Sequence, residues 1–383
     1  MATIPQGAQD VGTPDAARAA AEAIGRASEL SVDVEADAMH AFRARLCFVQ
    51  VATDQNVFLF DTLAPTVRAE VLAGTFADPQ RTKFFHAAGG DLQYLAEAGV
   101  RVKGLFDTHR AATLLGWAKV GLADLVQERL GVTLDKAHQQ SDFSLRPLPP
   151  GMREYIADDV RYLVEIGRQV REECVKADIL EEVLLDCQRM SDDAAERPDL
   201  SQLRPKLPKG GLSSAQVALG EALVAQLHEK RLQWAEGANV PMGRMLSNAA
   251  IVAIATKPPQ NKKELQRAQG VRGAFVREHG DEVLELVRTT IERARRGELT
   301  PELAEKGPRD PKKKKREDAL KAWRAEKAKE RKVTASAVLS NPLVETLSKG
   351  APSNLDELRA VPYLGEKRVR LYGPELLEVL RAV

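Results

Sequence analysis

Long apolar runs and abundant cysteines are both missing from this chain of 383 residues. It has no run of about eighteen apolar residues, which excludes an ordinary membrane-spanning helix. Its three cysteines, Cys47, Cys174 and Cys187, are far apart in segments of core-like composition. Such a scattered, odd-numbered set predicts buried, reduced thiols rather than a disulfide framework or a zinc site. The first residues lack the basic start and apolar stretch of a secretion signal, so we expect a cytoplasmic protein.

Aromatic residues and net charge are also scarce. Phe, Trp and Tyr make up 5% of the chain, and the formal net charge is +1 at pH 7. The near-neutral total conceals a basic block, because residues 309–332 contain twelve Lys and Arg against five Asp and Glu. Within this block, the run from Lys312 to Arg316 is predicted to contact nucleic-acid phosphates, and the alternative is that it forms a solvated linker. The length exceeds one ordinary core, so we expect two or three domains.

The first 205 residues alternate between strand-like and helix-like patterns. Apolar segments with two-residue periodicity predict strands at 30–35, 45–51, 57–61 and 83–86. Helical periodicity and capping residues predict helices at 13–27, 91–98, 107–117, 122–130 and 152–176. This order predicts an α/β domain at 1–205, with a mixed sheet flanked by helices.

The rest of the chain carries an internal repeat at an offset of 93 residues, with no gap. The matching residues are Arg231, Ala235, Leu246, Ser247, Asn248, Pro259, Glu264, Leu265, Gly280 and Leu284, which recur as Arg324, Ala328, Leu339, Ser340, Asn341, Pro352, Glu357, Leu358, Gly373 and Leu377. A repeat with helical apolar spacing predicts two small all-α domains. We place them at 206–296 and 314–383, joined by a basic linker at 297–313.

Two acids lie close together in the first predicted strand. Asp33 and Glu35 are two residues apart, so strand periodicity places both carboxylates on one face, with Val32 and Val34 on the other. Carboxylates that face together repel, and burying them is costly unless a cation lies between them. Oxygen ligands favour Mg²⁺ or Mn²⁺ over Zn²⁺. Taken alone, the pair is more typical of a solvated edge strand with two exposed acids.

Further acids lie on predicted helices. Asp91 follows His86 and four small residues and begins a helix, where aspartate is typical of an N-cap. Tyr155 and Asp159 are four residues apart, which puts the phenol and the carboxylate on one face of a helix, whereas Asp158 projects elsewhere. Each pattern alone suits an ordinary capped or amphipathic helix. Their occurrence in this order, after a strand with two acids, indicates a catalytic site.

Together these residues match a known pattern. The active-site pattern of the DEDDy 3′→5′ exonucleases is matched in residue type and order by Asp33, Glu35, Asp91, Tyr155 and Asp159. The surrounding segments resemble bacterial ribonuclease D. They are Arg45 to Gln50, His86 to Ala88, Phe106 to Thr108, Gly131 to Lys136, Asp142-Phe143 and Arg146 to Leu148.

The repeat resembles two helicase-and-RNase-D C-terminal (HRDC) domains, and the resemblance covers nearly the whole chain. It implies an RNase H-like DEDD exonuclease domain followed by two HRDC domains. Two positions depart from the pattern: Phe143 stands where the family has tryptophan, and Tyr363 in the second copy replaces Gly270 of the first. The two copies therefore need not bind alike.

The resemblance also implies a mechanism and a substrate. Two divalent ions, Mg²⁺ or Mn²⁺, would be held by Asp33, Glu35, Asp91 and Asp159 for hydrolysis at the 3′ end of RNA. Tyr155 would orient the attacking water, since an ordinary phenol titrates near about pH 10 and is a poor free base. The products would be nucleoside 5′-monophosphates. The partner would be RNA with a single-stranded 3′ end, such as a tRNA precursor.

Three further residues are candidates for substrate contact: His86, Lys136 and Arg146. For His86 the alternative is a buried histidine bonded to a backbone carbonyl, and for the two cations it is an ordinary surface position.

Two other functions remain open. The same chemistry could act on DNA, although the chain has no Walker-type phosphate loop that would indicate an attached helicase. A catalytically silent RNA-binding scaffold is the second alternative. The complete set of mutually repelling acids argues against it, because a scaffold has no need of them.

Overall fold

The computed structural model describes residues 4–194, 197, 199–299 and 310–383, so residues 300–309 of the predicted linker lie outside the described part. Six strands form one sheet: β1 (Ala8–Val11), β2 (Glu29–Ala36), β3 (Leu46–Ala52), β4 (Val57–Asp61), β5 (Thr82–Phe85) and β6 (Leu105–Asp107).

The helices that accompany the sheet are α1 (Pro14–Ile24), α2 (Ala73–Ala77), α3 (Gly89–Glu97), α4 (Thr108–Leu115), α5 (Leu122–Leu130), α6 (Pro150–Arg161), α7 (Leu163–Lys176) and α8 (Leu180–Asp192). The later helices are α9 (Ser214–Gly237), α10 (Met242–Met245), α11 (Asn248–Thr256), α12 (Lys262–Arg267), α13 (Gly273–Arg295), α14 (Lys313–Arg331), α15 (Ala335–Val338), α16 (Asn341–Gly350), α17 (Leu355–Arg359) and α18 (Glu366–Arg381). Short 3₁₀ turns occur at Ala69–Leu72 and Leu200–Gln202. No described helix combines the length and the apolar character that a bilayer span requires.

The sheet is mixed, in the strand order β1-β4-β3-β2-β5-β6. Strands β2, β3 and β4 are antiparallel neighbours, whereas β1 joins β4, β5 joins β2 and β6 joins β5, each in parallel. Helices then pack on the sheet, and the helical repeat follows. The predicted fold class is therefore confirmed.

Two strands and one helix break differ from the sequence prediction. Strands β1 and β6 were not predicted, because β1 has two exposed polar residues, Gln9 and Asp10, at its centre and β6 has only three residues. The predicted helix at 152–176 is two helices that meet at Tyr162. Helix α6 packs over β2, β3 and β4, whereas α7 packs against β2 and β5. One straight helix could not contact both sets of strands, so the chain turns between them.

The described residues form two compact units. One contains those within 1–36, 46–196 and 309–383, and the other contains those within 37–45 and 197–308. The first repeat copy, α9 to α13, belongs to the second of these units. The second copy, α14 to α18, clusters with the sheet.

The two repeat copies preserve the same internal hydrogen bonds. Arg231 of α9 donates to the carbonyl oxygen of Leu246 at 3.1 Å, and Arg324 of α14 donates to that of Leu339 at 2.8 Å. Asn261 caps α12 and Asn354 caps α17 through their side-chain oxygens. Because these residues are 93 positions apart, the duplication holds at the level of individual contacts.

One glutamate in each copy is held by a tryptophan and a lysine. In the first copy Glu282 accepts from the Trp234 indole at 2.9 Å and pairs with Lys230 at 2.7 Å. In the second copy Glu375 accepts from the indole of Trp323 at 3.0 Å and pairs with Lys327 at 2.9 Å. At the 93-residue offset, Lys230 corresponds to Trp323 and Trp234 corresponds to Lys327, so the two residue types have exchanged positions.

The second copy docks on α8 through charged residues. Glu182, whose side chain is 1% exposed, lies between Lys367 at 3.0 Å and Arg331 at 3.4 Å. Tyr363 adopts the left-handed φ of 61° and donates its hydroxyl to Asp192 at 3.1 Å. Buried charges are tolerated because they are paired, so this contact ties the copy to the sheet-containing unit.

We therefore expect Glu182→Ala to destabilise the protein by about 2–4 kcal/mol, because it leaves Lys367 and Arg331 without their buried partner. The measurement is urea unfolding followed by circular dichroism. Asp356→Asn is the matched control, since Asp356 is 93% exposed and its pair with Arg359 contributes about 0–1 kcal/mol. Equal urea midpoints for the two variants would contradict a stabilising role for the contact between the second copy and α8.

Candidate active site

Three carboxylates from two elements converge on one face of the sheet. Asp33 and Glu35 extend from β2, and Asp159 extends from α6, which packs over that strand. Ligand oxygens of these three residues all lie within 4.8 Å of one another. Ser31, two residues before Asp33, donates to the carbonyl oxygen of Val160 at 2.7 Å and so ties the strand to the end of α6.

Burial and mutual repulsion make these acids hard to ionise in the absence of a cation. Burial, followed by the nearby charge of Asp91, raises the pKa of Asp33 well above its usual range. Burial and then the charge of Asp33 likewise raise the pKa of Glu35, and burial followed by Asp33 raises that of Asp159. Holding all of them ionised therefore requires compensating positive charge.

Asp91 approaches the cluster from α3 but is not one of the three tightly grouped acids. It is the third residue of the helix, and the position before the helix, Ala88, forms no side-chain cap. The capping alternative for Asp91 is therefore not what the structure shows. Burial and the charges of Asp107 and Asp159 raise the pKa of Asp91 to about 7.

The loop before α3 is held by Asp107, a buried residue at the end of β6. Its carboxylate accepts from the backbone nitrogens of Ala87 at 3.2 Å and Ala88 at 2.8 Å, and it also caps α4 through Arg110 N. Ala87 has the unusual φ of 62° that this turn requires. Sequence reasoning did not single out Asp107 as a site residue, because an aspartate before a helix is typical of a simple N-cap.

Tyr155 lies one turn before Asp159 on α6 and donates a hydrogen bond to its carboxylate. The Phe143 ring stacks on the phenol, with 6.2 Å between ring centroids, and His138 meets its edge at 6.1 Å. Phe143 is 1% exposed. The departure from tryptophan at this position therefore keeps an aromatic support for Tyr155.

The acids open into a cleft of about 380 Å³. Its walls include Asp33, Glu35, Tyr155, Asp159, His86, Lys136 and Gln139. Lys136 is exposed at this cleft, which is where a cation that contacts substrate phosphate is expected.

The hydrogen bonds of His86 define its tautomer. Thr108 donates its hydroxyl hydrogen to the carbonyl oxygen of Phe85 at 2.9 Å, so its oxygen must accept from Nδ1 of His86, also at 2.9 Å. Nε2 is then the unprotonated nitrogen. Burial lowers the pKa of His86 to about 4, which keeps the ring neutral. The partner of His86 is thus a threonine hydroxyl rather than the backbone carbonyl considered as an alternative.

Arg146 is engaged elsewhere. Its guanidinium donates to both carboxylate oxygens of Asp61 at 2.6 Å and lies 4.2 Å from the centroid of the Phe48 ring. It braces β3 and β4 and is not among the residues that line the cleft. Contact between Arg146 and substrate therefore stays a prediction.

The basic run at 312–316 is partly neutralised within the protein. Lys313 pairs with Glu317 at 3.7 Å and Lys314 pairs with Asp318 at 2.7 Å. Arg316 is buried and donates to the carbonyl oxygen of Ser348 at 2.8 Å. Much of this run therefore begins and anchors α14, and phosphate contact by it stays a prediction.

The donor set fits a hard divalent cation. It consists of carboxylate oxygens, without a histidine or thiolate among the three grouped residues. Mg²⁺ and Mn²⁺ prefer oxygen ligands of this kind. A cation at this position would also relieve the repulsion that raises the pKa of each acid.

Comparison with family models shows which class of protein this chain belongs to. Residues 9–174 match a 3′–5′ exonuclease model, and residues 220–287 and 313–380 each match the HRDC domain. The chain is thus a 3′→5′ exonuclease with a duplicated HRDC domain.

Individual relatives narrow the class further. Ribonuclease D of Gluconacetobacter diazotrophicus is 32% identical over 269 residues, which cover 70% of this chain and 67% of that protein. Ribonuclease D of Acidiphilium cryptum is 29% identical, over 68% of this chain and 66% of that protein. This chain belongs to the ribonuclease D family and is a metal-dependent exoribonuclease.

Solved structures share the fold of this chain. The catalytic core of RRP6 from Trypanosoma brucei is 25% identical, with a TM-score of 0.62 over 77% of this chain and 84% of that one. Escherichia coli RNase D has the same fold, with a TM-score of 0.67 at 24% identity over 98% of this chain and 99% of that one.

The raised carboxyl pKa values predict how stability without metal depends on pH. A carboxyl group whose pKa is higher in the folded state stabilises the protein fully below its unfolded value of about 4. That stabilisation is lost as pH rises through the folded value, which for Asp91 is about 7. We expect the Tm of the chelator-treated protein to fall as pH rises from about 4 to about 7.

Asp33→Asn should flatten that fall, because it removes one of the repelling charges. Asp15→Asn is the control, since Asp15 is 87% exposed and lies in the surface helix α1. Differential scanning calorimetry across the pH range makes the measurement. If Asp33→Asn and Asp15→Asn gave the same pH dependence, the repulsion would not limit stability.

Proposed function

We propose that this chain removes nucleotides one at a time from the 3′ end of RNA by two-metal-ion hydrolysis, releasing nucleoside 5′-monophosphates. The observation that carries the proposal is the convergence of ligand oxygens of Asp33, Glu35 and Asp159 within 4.8 Å of one another. Asp91 approaches the same acids from α3, and its charge contributes to the raised pKa values of Asp33 and Glu35.

Each acid has a defined role in this proposal. Asp33, Glu35, Asp91 and Asp159 hold two ions, Mg²⁺ or Mn²⁺. When bound, such ions stabilise the charge that develops on the attacking and leaving oxygens of a phosphodiester. Asp107 contributes indirectly, by fixing the loop that leads to Asp91.

Tyr155 orients the attacking water and does not remove its proton. Burial, followed by the charges of Asp159 and Glu35, raises the pKa of the phenol above its usual range. The group therefore stays protonated: its one hydroxyl hydrogen is donated to Asp159, and its oxygen is left to accept a hydrogen bond from the water. Stacking on Phe143 holds the ring in place, and the bond to Asp159 directs the hydroxyl toward the acids.

The substrate in this proposal is RNA with a single-stranded 3′ end, because the cleft of about 380 Å³ suits the last nucleotide of a single strand better than a duplex. Lys136 contacts a backbone phosphate, and Nε2 of His86 is available as an acceptor on the cleft wall. The Escherichia coli protein is described as involved in structured RNA processing. We extend that role to this chain as 3′ maturation of tRNA or other stable RNA. We place it in the cytoplasm, where its three free cysteines would stay reduced.

The first test compares two neighbouring acids on α6. Asp159→Asn should lower the rate of degradation by about 10³-fold or more, because it removes a metal ligand and the partner of Tyr155. Asp158→Asn should keep nearly full activity, because Asp158 pairs with Arg161 at 3.1 Å and is not one of the three grouped acids. The assay is a ladder from 5′-labelled single-stranded RNA with Mg²⁺, Mn²⁺ or chelator.

The same assay discriminates the alternatives. A matched DNA strand should shorten more slowly than RNA, and faster loss of DNA would move the substrate to DNA. Binding of RNA without any shortening in Mg²⁺ or Mn²⁺ would mean that the chain is a binding scaffold. Equal activity of the Asp158→Asn and Asp159→Asn variants would place the metal site elsewhere.

A further inference from the structure

The first HRDC copy exposes arginines that the second copy lacks. Arg244, Arg267, Arg272 and Arg277, here called the arginine face, are all exposed, and none forms an ion pair with another described residue. Arg244 and Arg272 line a common groove of about 300 Å³. The chain from Arg267 to Arg272 connects α12 to α13, and Nη1 of Arg277 is 3.7 Å from the position of a Cβ on Gly273 at the start of α13.

The same positions in the second copy have lost most of this charge. At the 93-residue offset, Arg244, Arg267 and Arg272 correspond to Ala337, Ala360 and Gly365, and only Arg277 keeps its charge, as Arg370. The repeat conserves its buried contacts, but three of the four exposed cations are replaced in the second copy. This difference indicates that the two surfaces serve different purposes.

The second copy uses part of this surface, at the positions of Arg244 and Arg272, for docking. Ala337 is 0% exposed and belongs to the apolar core that includes Cys187 of α8. A Cβ on Gly365 would lie 2.4 Å from Cδ1 of Leu185 and 2.8 Å from Oε1 of Glu181, so an arginine could not fit there. The positions of Arg244 and Arg272 are thus covered in the second copy, whereas Ala360 and Arg370, at the positions of Arg267 and Arg277, are exposed there.

We infer that the arginine face of the first HRDC copy binds the phosphate backbone of the RNA substrate, whereas the second copy serves as a structural docking domain. This inference rests on the proposed function, which makes RNA the polyanion the enzyme must hold. Arg272 makes only a long hydrogen bond, at 3.5 Å, to the carbonyl oxygen of Arg244. Exposed guanidinium groups that form no ion pair can form bidentate hydrogen bonds with phosphates. Contacts of this kind raise affinity without reading sequence, which suits an enzyme that shortens its substrate step by step.

The experiment measures binding of a fluorescein-labelled single-stranded RNA by anisotropy in chelator, so that no cleavage occurs. The double variant Arg244→Gln/Arg272→Gln should bind about tenfold more weakly at physiological salt. The slope of its log affinity against log salt concentration should be smaller in magnitude by about 1.4, because each of two phosphate contacts on a single strand contributes about 0.7 to that slope.

Lys349→Gln/Arg370→Gln is the matched control. It removes two exposed cations of the second copy that have no ion pair among the described residues, so it changes the net charge by the same amount. Its affinity and salt slope should match those of the unmodified protein. An equal loss in both variants would mean that only overall charge matters, and no loss in the first would mean that the arginine face serves another partner. Either result overturns the inference.

The proposed function is judged separately, by degradation of the same RNA by the unmodified protein in Mn²⁺. If the RNA is degraded but the arginine variant binds normally, the function stands and the inference fails. If the RNA is not degraded, the function fails, and the binding result still decides the role of the arginine face.

A second, independent observation concerns Gln50 of β3. Its side chain is 0% exposed, and both its amide nitrogen and its amide oxygen lack a hydrogen-bond partner among the described residues. Gln50 lies directly opposite Asp33 in the antiparallel pair of β2 and β3. Residues opposite each other in such a pair extend to the same face, with Cβ atoms about 4.5–5.5 Å apart.

An amide buried without a partner is costly, so its presence beside a carboxylate calls for a reason. A neutral donor next to Asp33 can bond to the carboxylate oxygen that does not face a cation, and it adds no charge to the crowded acids. We propose that Gln50 is a positioning residue that holds the Asp33 carboxylate in the orientation a bound divalent ion requires. Hydrogen bonds to metal-binding carboxylates commonly have this effect.

Gln50→Leu separates this role from a purely structural one. Calorimetric titration with Mn²⁺ should show affinity lowered by about 10- to 100-fold. In chelator, the variant should be at least as stable as the unmodified protein, because an apolar side chain replaces an unsatisfied amide. Leu59→Met, which changes the residue opposite Gln50 on β4, is the control and should keep its Mn²⁺ affinity. Unchanged Mn²⁺ affinity in Gln50→Leu would overturn the proposal.

Discussion

The crowding of carboxylates on one face of the sheet is the constraint on which the rest of the catalytic unit depends. Asp33, Glu35 and Asp159 are held where burial and mutual repulsion both oppose ionisation. A flexible chain would relieve that repulsion by moving the acids apart. The surrounding structure prevents this: β2 is an interior strand with partners on both sides, and α6 is tied to it through Ser31 and Val160.

The loop that carries Asp91 is fixed by a different device. Asp107 satisfies two backbone nitrogens at the turn before α3 while it caps α4, so one buried carboxylate sets the position of another. The turn needs Ala87 in a conformation with φ of 62°, which costs energy for a residue with a side chain. The repulsion at the acids and this backbone strain are both sustained by the large apolar core beneath the sheet.

Sequence patterns predicted the features that depend on local periodicity. The two-residue spacing of Asp33 and Glu35 placed both carboxylates on one face of a strand. The four-residue spacing of Tyr155 and Asp159 placed both side chains on one face of a helix. The 93-residue repeat predicted the duplicated helical domains. Resemblance to a family then supplied the chemistry, which neither spacing alone could have done.

Features that depend on tertiary contact could not be predicted in this way. The break between α6 and α7 follows from which strands each helix covers, and the bracing role of Arg146 follows from its distant partner Asp61. Gln50 sits in an apolar strand pattern that says nothing of its position opposite Asp33. A single sequence contains no local signal for any of these, because each depends on residues brought together only by folding.

The exchanged tryptophan and lysine around Glu282 and Glu375 have a consequence for how the two copies should be compared. Position by position, the two copies look mismatched there, yet each glutamate keeps the same pair of partners. The contact is therefore conserved although the residue at each of the two partner positions is not. Identity counted position by position between the copies thus understates how many of their internal contacts they share.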